Sequence, residues 1–320
     1  MIGNEMFIGI DLGGTNIKGG LVTAEGQILE EKNVPTEVQG GVEHVLSRMA
    51  GVIRYLVQSA GKIPVRGAGI GFPGQINVKK GIYHQGPNFP GWNNVPVVFE
   101  LEKRVGIPIV MDNDANLAAL GEYAFGGGKG VTDMILVTLG TGVGGGLILN
   151  GQLYHGVTDA AGEIGHTSIH MEGPLCGCGR RGCLEAYVGT RGILSRLKSK
   201  LDAGAKTPLR NKPFETMTPK DIGMAGADGD PVAIEVFKET GEILGFGLAN
   251  LANLINVQKI VVGGGIANAG DLILKPAAEA LNREALIIVR QACTLVKAEL
   301  GNTAGMVGAA RAAMLAFSVA

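Results

Sequence analysis

Between Gly162 and Glu185 the chain reads Gly162-Glu163-Ile164-Gly165-His166 and, nine residues later, Cys176-Gly177-Cys178-Gly179-Arg180-Arg181-Gly182-Cys183-Leu184-Glu185. Three of the four cysteines fall here, with His166 just upstream of them. His166, Cys176, Cys178 and Cys183 make a complete Cys₃His set for tetrahedral zinc, and four protein ligands leave no place for a bound water, so such a metal is structural. Its work would be to pin a glycine-rich loop that cannot bury enough apolar surface to hold its own shape. A disulfide framework fits poorly: Cys293 lies far along the chain, and Cys176 and Cys178 are too close in sequence to bridge without strain. Ordinary reduced thiols remain the alternative, because Cys-x-Cys is tighter than the usual finger spacing. Glu163 and Glu185 flank the ligands, so a pinned loop would present carboxylates to something polar.

Two glycine-rich bends offer a second kind of chemistry. Asp11-Leu12-Gly13-Gly14-Thr15 is followed by Gly-Gly-Leu-Val, and Leu139-Gly140-Thr141-Gly142 by Gly-Gly-Leu-Ile, which suggests an internal duplication. Each bend would turn backbone N–H groups toward an anion, and two facing each other across a cleft could hold a polyphosphate from both sides. Neither is a Walker loop, and neither enters a helix as a Rossmann fingerprint does. Tight hairpins of no further purpose are the plain alternative.

A third feature is Asp112-Asn113-Asp114, between a strand at Ile107–Met111 and a helix from Ala115 to Phe125. An aspartate at the end of a strand and the start of a helix can simply be its cap. The run supplies more polar side chains than a cap needs, the positive end of a helix favours a charged carboxylate, and such a group can take a proton from a substrate hydroxyl.

These features need particular elements to hold them. Met6–Leu12, Ile17–Val22 and Gln27–Lys32 read as an antiparallel meander around the first bend. Apolar residues at helical spacing from Val42 to Val57 predict an amphipathic helix, and Val65–Phe72 a strand stopped by Pro73-Gly74. Strands at Met134–Leu139 and Val143–Leu149 surround the second bend, with Asn150-Gly151 a hairpin turn into Gln152–Tyr154. Further on come a helix at Leu184–Leu201, a less ordered stretch at Lys198–Lys220 and a long helix capped by Asp230-Pro231. A buried strand at Lys259–Val262 then ends in Gly263-Gly264-Gly265, a flat backbone suited to a ring system. A helix soon after Asp271 and a last one at Ala304–Phe317, crossing back to the first lobe, complete the reading.

Composition excludes some classes. With 28 basic and 29 acidic residues and no long run of one sign, nothing advertises a nucleic acid or an anionic membrane as partner. The apolar stretches are broken by glycine or asparagine before the roughly 18 residues a membrane span needs. No signal peptide is read at the N-terminus, and few cysteines with a thiolate site suit a reducing cytoplasm.

Taken together, Asp11–Asn16, Asp112-Asn113-Asp114-Ala115-Asn116, Leu139–Gly146, Gly162–His166 and the cysteine stretch through Glu185 resemble the ROK family (repressor, open reading frame, kinase), most of all its bacterial glucokinases. The resemblance implies an α/β, actin-like ATPase (ribonuclease H-like) duplicated fold, with two lobes, an interlobe cleft and a structural zinc loop. The small lobe is expected at 1–114 plus 305–320 and the large one at 115–304, with the zinc loop at 166–183. ATP-dependent phosphorylation of glucose to glucose 6-phosphate is the implied activity. Asp114 would be the general base, and Asn113, Asp114, Glu163, His166, Glu185, Gly71 and Asn88 would contact the sugar, His166 through the ring edge not given to the metal. Asp11, Gly13, Gly14 and Thr15, with Thr138, Gly140, Thr141 and Gly142, would be the phosphate bends, Asp11 helping to hold Mg²⁺. Gly263, Gly264 and Gly265 would border the adenosine. The loop Pro87-Asn88-Phe89-Pro90-Gly91-Trp92 is similar to the glucokinase version of a sugar-side loop and favours glucose. Lys18 could reach a phosphate or point to solvent, and strand alternation is read in favour of solvent. The family also suggests a dimer or tetramer.

Three other readings compete. The first is a kinase for mannose, N-acetylmannosamine or fructose. The second is a sugar-sensing repressor, which would need a DNA-binding unit ahead of Asp11 where ten residues stand. The third is an actin-like filament protein, with no evident use for a carboxylate-flanked zinc loop.

Overall fold

The computed structural model describes residues 5–86 and 88–318. In chain order the strands and helices are β1 (Met6–Leu12), β2 (Asn16–Thr23), β3 (Ile28–Pro35), α1 (Gly41–Ser59), β4 (Val65–Phe72), β5 (Gln75–Asn77), β6 (Ile82–Gln85), α2 (Val97–Val105), β7 (Ile109–Asn113) and α3 (Asp114–Phe125). They continue as β8 (Met134–Leu139), β9 (Val143–Leu149), β10 (Gln152–Leu153), α4 (Leu184–Val188), α5 (Thr190–Asp202), α6 (Pro219–Ala227), α7 (Pro231–Ile255), β11 (Lys259–Gly263), α8 (Asp271–Glu284), α9 (Ile287–Ala292), β12 (Thr294–Lys297) and α10 (Ala304–Phe317).

Two five-stranded sheets share one plan. The first has the order β3-β2-β1-β4-β7, the second β10-β9-β8-β11-β12. In the first, β1, β2 and β3 are antiparallel neighbours, while β4 and β7 add on in parallel. In the second, β9 and β10 are antiparallel, and β8, β11 and β12 are parallel. The repeated order is the duplication that the two glycine bends suggest.

The first sheet is covered on both faces, which is why its central strands read as unbroken apolar runs rather than as alternation. Ile8 and Ile10 of β1 join Leu46, Met49 and Ile53 of α1 in one core cluster. Phe7, one residue before Ile8 and so on the opposite face, joins Ala310, Ala313 and Met314 of α10 in another. Edge strand β3 alternates half-buried and exposed residues throughout.

Glycine lets α10 come into backbone contact with this sheet. A Cβ on Gly9 would stand 1.8 Å from the carbonyl oxygen of Met306, and one on Gly69 1.8 Å from that of Ala309. Gly308 faces the Leu117 carbonyl of α3 in the same way, at 1.6 Å. Gly69→Ala should therefore cost at least the 1–3 kcal/mol (about) of an overpacked core, because a backbone carbonyl cannot rotate away. Thermal melts check this; a melting temperature within a degree or so of the parent would show that α10 yields easily.

Packing divides the chain into two compact units. One holds the chain through Lys129, Gly146–Gly162 and the chain from Leu300 on; the other holds Gly130–Gly145 and Glu163–Glu299. These bounds differ from those expected at 114 and 304–305. The reason is that α3 lies against α10, Gly121 against the Ala304 carbonyl, and that Gly146 of β9 lies against Ala115 and Ala119 of α3. In the second unit α7 and α8 approach through Gly241 and Gly245, which face the Ile273 and Ala277 carbonyls.

The helix expected at Leu184–Leu201 is two helices, broken at Gly189, which is extended at φ −73° and ψ 174°. The break lets the Thr190 N–H reach the Gly140 carbonyl at 3.0 Å. Lys198–Lys220 is more regular than expected: α5 runs into it and short 3₁₀ turns occupy Pro208–Asn211 and Phe214–Thr216. No helix among the described residues is long and apolar enough to cross a membrane.

Candidate active site

In the first unit, the carboxyl ends of three parallel strands gather the chemistry. Asp11 of β1 is in register with Gly71 of β4, and Gly71 with Asp112 of β7. Open α/β sheets bind ligands at this edge. Asn113 ends β7 in extended conformation and caps α3, its Oδ1 accepting from the N–H of Ala115 at 2.9 Å and of Asn116 at 3.3 Å. The cap that either aspartate might have supplied thus falls to Asn113. Asp114 opens the helix, with Oδ1 accepting from the Ala115 N–H at 2.9 Å. Gly71 lies directly beneath it: a Cβ there would be 3.5 Å from the Asp114 Cα.

The first bend adjoins this corner. The Gly13 N–H donates to the Asn16 carbonyl at 2.9 Å, and Thr36 fastens the bend from behind, its hydroxyl on the Gly13 carbonyl at 2.6 Å and its N–H on the Thr15 carbonyl at 2.8 Å. Gly14 and Thr15 are exposed at the tip. Asn88 stands against Gly14, 3.6 Å from where a Cβ would be. Pro87, the first residue of the expected sugar-side loop, lies outside the described residues; Phe89 and Trp92 of that loop pack with Phe72 and Tyr83 at ring separations of 4.7–5.9 Å. Burial pushes the Asp11 carboxyl above its ordinary range, with Lys18 pulling it back down. That interaction corrects the reading of Lys18. It is paired with Asp11 across β1 and β2, and directly opposed residues of an antiparallel pair share a face, so half-buried Lys18 stands beside Asp11 rather than out in solvent.

The second unit gathers the rest. The ligand atoms of His166, Cys176, Cys178 and Cys183 all lie within 4.8 Å of one another. Two sulfurs, each about 2.3 Å from a tetrahedral zinc, stand roughly 3.8 Å apart, and Cys178 Sγ is 3.7 Å from Cys183 Sγ. His166 turns Nδ1 to Cys176 Sγ at 3.7 Å and leaves Nε2 3.9 Å from a Glu163 carboxylate oxygen. The cluster fits a structural zinc site with the far edge of the imidazole beside Glu163. Glu185 bridges the cluster to the second bend: Oε1 is 3.3 Å from Cys176 Sγ, and Oε2 accepts from the Val143 N–H at 3.0 Å. A Cβ on Gly142 would run into that carboxylate. Thr190 fastens the Gly140 carbonyl through its hydroxyl at 3.0 Å, and Gly189 stands against the carbonyl of Thr141. Gly263 is in register with Thr138 across β11 and β8. Gly264, at φ 86°, lies so close to the Leu139 backbone that no side chain fits, and Gly265 follows with open space around it.

The expected site residues therefore form two groups. Asp11, Gly13, Gly14, Thr15, Gly71, Asn88, Asn113 and Asp114 are together in the first unit, and Thr138, Gly140–Gly142, Glu163, His166, Glu185, Gly263–Gly265 and the cysteines in the second. Thr36, Thr190 and His155 were not singled out from sequence. Each acts on a partner 23 to 50 residues away, and nothing in its local pattern marks it.

The ROK family model matches residues 7–315. A glucokinase of Halalkalibacterium halodurans is 38% identical over 95% of this chain and 94% of its own length. A xylose repressor of Caldicellulosiruptor bescii is 32% identical over 88% of this chain and 71% of its own length. Among solved structures, a ROK family glucokinase from Streptomyces griseus in complex with glucose and AMPPNP is 36% identical, with a TM-score of 0.83 over 97% of this chain and 99% of that one. A match across nearly the whole chain, the two sheets of one plan and the Cys₃His cluster agree: this protein belongs to the ROK family and has its duplicated, actin-like α/β fold.

Proposed function

We propose that the protein is a hexose kinase that transfers the γ-phosphoryl group of ATP to glucose. The observation that carries this reading is the meeting, at one sheet edge, of the Asp11 bend with the N-terminus of α3 and its Asp114. The glucokinases among its relatives, one of them holding glucose and an ATP analogue, support the same reading.

Phosphoryl transfer asks a protein mainly to position groups and to stabilise charge. Asp114 would accept the proton of the attacking sugar hydroxyl. Asn113, Gly71 and Asn88 from the first unit, and Glu163, His166 Nε2 and Glu185 from the second, would bind the remaining hydroxyls. The Gly13–Thr15 and Thr138–Gly142 bends would hold the phosphates with backbone N–H groups, and Gly263–Gly265 would lie against the adenosine. Half-buried Asp11, at the foot of the first bend, would help to hold Mg²⁺, which when bound neutralises phosphate charge. Zinc at His166, Cys176, Cys178 and Cys183 would fix the orientation of the sugar-binding glutamates. Three cysteine ligands suit a reducing cytoplasm.

ADP release measured with ATP against glucose, mannose, fructose, N-acetylmannosamine and N-acetylglucosamine tests the reading. Glucose is expected to give the highest kcat/KM. Release with no hexose of the panel would favour a sugar-sensing regulator, the reading that the xylose repressor relative supports. A homo-oligomer is also expected, in keeping with exposed Leu254 of α7 and exposed Leu286, Ile287 and Ile288 around α9; light scattering that finds a monomer at micromolar concentration would reject it.

A further inference from the structure

Asp112 is buried, yet it is a carboxylate two residues from the candidate base. Burying a charge is costly unless it is paired and hydrogen-bonded, and an apolar residue would often stabilise the fold as well or better. What a carboxylate adds is direction. Its Oδ1 accepts from the N–H of Asn113 at 2.7 Å and from the side-chain amide of Asn116 at 3.0 Å. Both donors belong to the turn that launches α3. Its Oδ2 meets His155 Nε2 at 2.6 Å.

His155 is itself held in place. It follows β10, and its carbonyl accepts from the Ala161 N–H at 3.0 Å, which closes the loop 155–161. Asp159 at the tip of that loop, with φ 58°, accepts from the Val78 N–H at 3.0 Å. The loop is thus tied twice within the first unit, and the chain runs straight from it through Gly162 into Glu163.

We infer that His155 is a positioning residue for the proposed transfer: through Asp112 it locks the β7–α3 corner, and with it Asp114, to the 155–161 loop. The inference rests on the kinase reading for its functional half only. The hydrogen bond to Asp112 leads in holding the imidazole above its ordinary pKa against partial burial, with the charges of Asp112 and Asp159 adding to it. The ring therefore stays doubly protonated further up the pH scale and donates to Asp112 without a tautomer to choose.

The test compares the full-length protein with His155→Ala and His155→Gln, using ATP and the best hexose of the panel, alongside amide hydrogen exchange. Because misplacing a reacting group by about 1 Å can cost about 10²-fold, His155→Ala is expected to lower kcat by roughly 10- to 100-fold while the KM for ATP stays unchanged. Exchange should quicken at Asn113–Asn116 and not in α7 or α8. His155→Gln, whose amide can still donate to Asp112, should recover part of kcat and protect the same amides. Parental kcat and parental exchange at 113–116 in both variants would overturn the inference. So would exchange that rises evenly over the whole first unit, since that marks loss of stability and not of position. Should the parent phosphorylate no hexose, the kinase reading falls on its own, and the exchange comparison still decides whether His155 fixes the corner.

Discussion

Asp114→Asn is expected to lower kcat for hexose phosphorylation by about 10²–10⁴-fold, the usual worth of general-base help, while hexose affinity stays near that of the parent. The substitution isolates one property. Asparagine has the size of aspartate and its carbonyl oxygen can still accept from the Ala115 N–H, as Asp114 Oδ1 does at 2.9 Å. The helix start survives because Asn113, not Asp114, supplies the cap. Loss of the negative charge at the first turn costs only about 0.3–1 kcal/mol of helix-dipole energy at such a site, so the melting temperature should move little. What disappears is the capacity to take a proton. Turnover by ADP release and hexose binding by calorimetry, measured on the same preparation, separate the two effects. Near-parental turnover would remove Asp114 from the role of base.

The elements around the site were the most legible part of the chain. Val65–Phe72, Met134–Leu139 and Val143–Leu149 stand where their apolar runs end in proline, glycine or asparagine, and Ala304–Phe317 where Gly301-Asn302 precedes it. Asn150-Gly151 turns as read, with φ 53° and 74°. The two bends were legible because duplication wrote them twice. Elements whose pattern is weak were missed: α2, with only Val97 and Leu101 buried, and four-residue β12, which has no fully buried position. The split at Gly189 was invisible for another reason. The apolar spacing continues across it, and the break answers to a carbonyl 50 residues away at Gly140. The unit boundary moved on similar grounds, since contact between α3 and α10 depends on Gly121 and Gly308 meeting across the fold. Lys18 shows the limit of alternation: it tells which residues share a face, and only the register with Asp11 tells which face that is.

Cys178→Ser should release zinc and raise the hexose KM by an order of magnitude or more, since it acts on the second half of the proposed site. Cys178 is exposed, so its loss removes no core packing. Any large effect must pass through the metal. Its sulfur stands 3.7 Å from that of Cys183, the spacing of two thiolates on one tetrahedral ion, and a neutral hydroxyl is a poor replacement for a zinc thiolate. In small zinc domains metal binding contributes about 10–16 kcal/mol to folding. Here α7, α8 and the second sheet carry a core of their own, so the expected damage is local. Loosening the 166–183 loop would free His166 beside Glu163, and Glu185, whose carboxylate touches both Cys176 and the Val143 N–H. The sugar-binding carboxylates and the second bend would then lose their common anchor. Cys293→Ser supplies the contrast: Cys293 is buried and outside the cluster, so its replacement should affect stability while zinc content stays at one per chain. Metal analysis of the parent protein, purified without chelators, decides the premise. A preparation that binds hexose fully and contains no zinc would mean that the four side chains hold the loop as thiols and imidazole, and Cys178→Ser would then leave the hexose KM where it was.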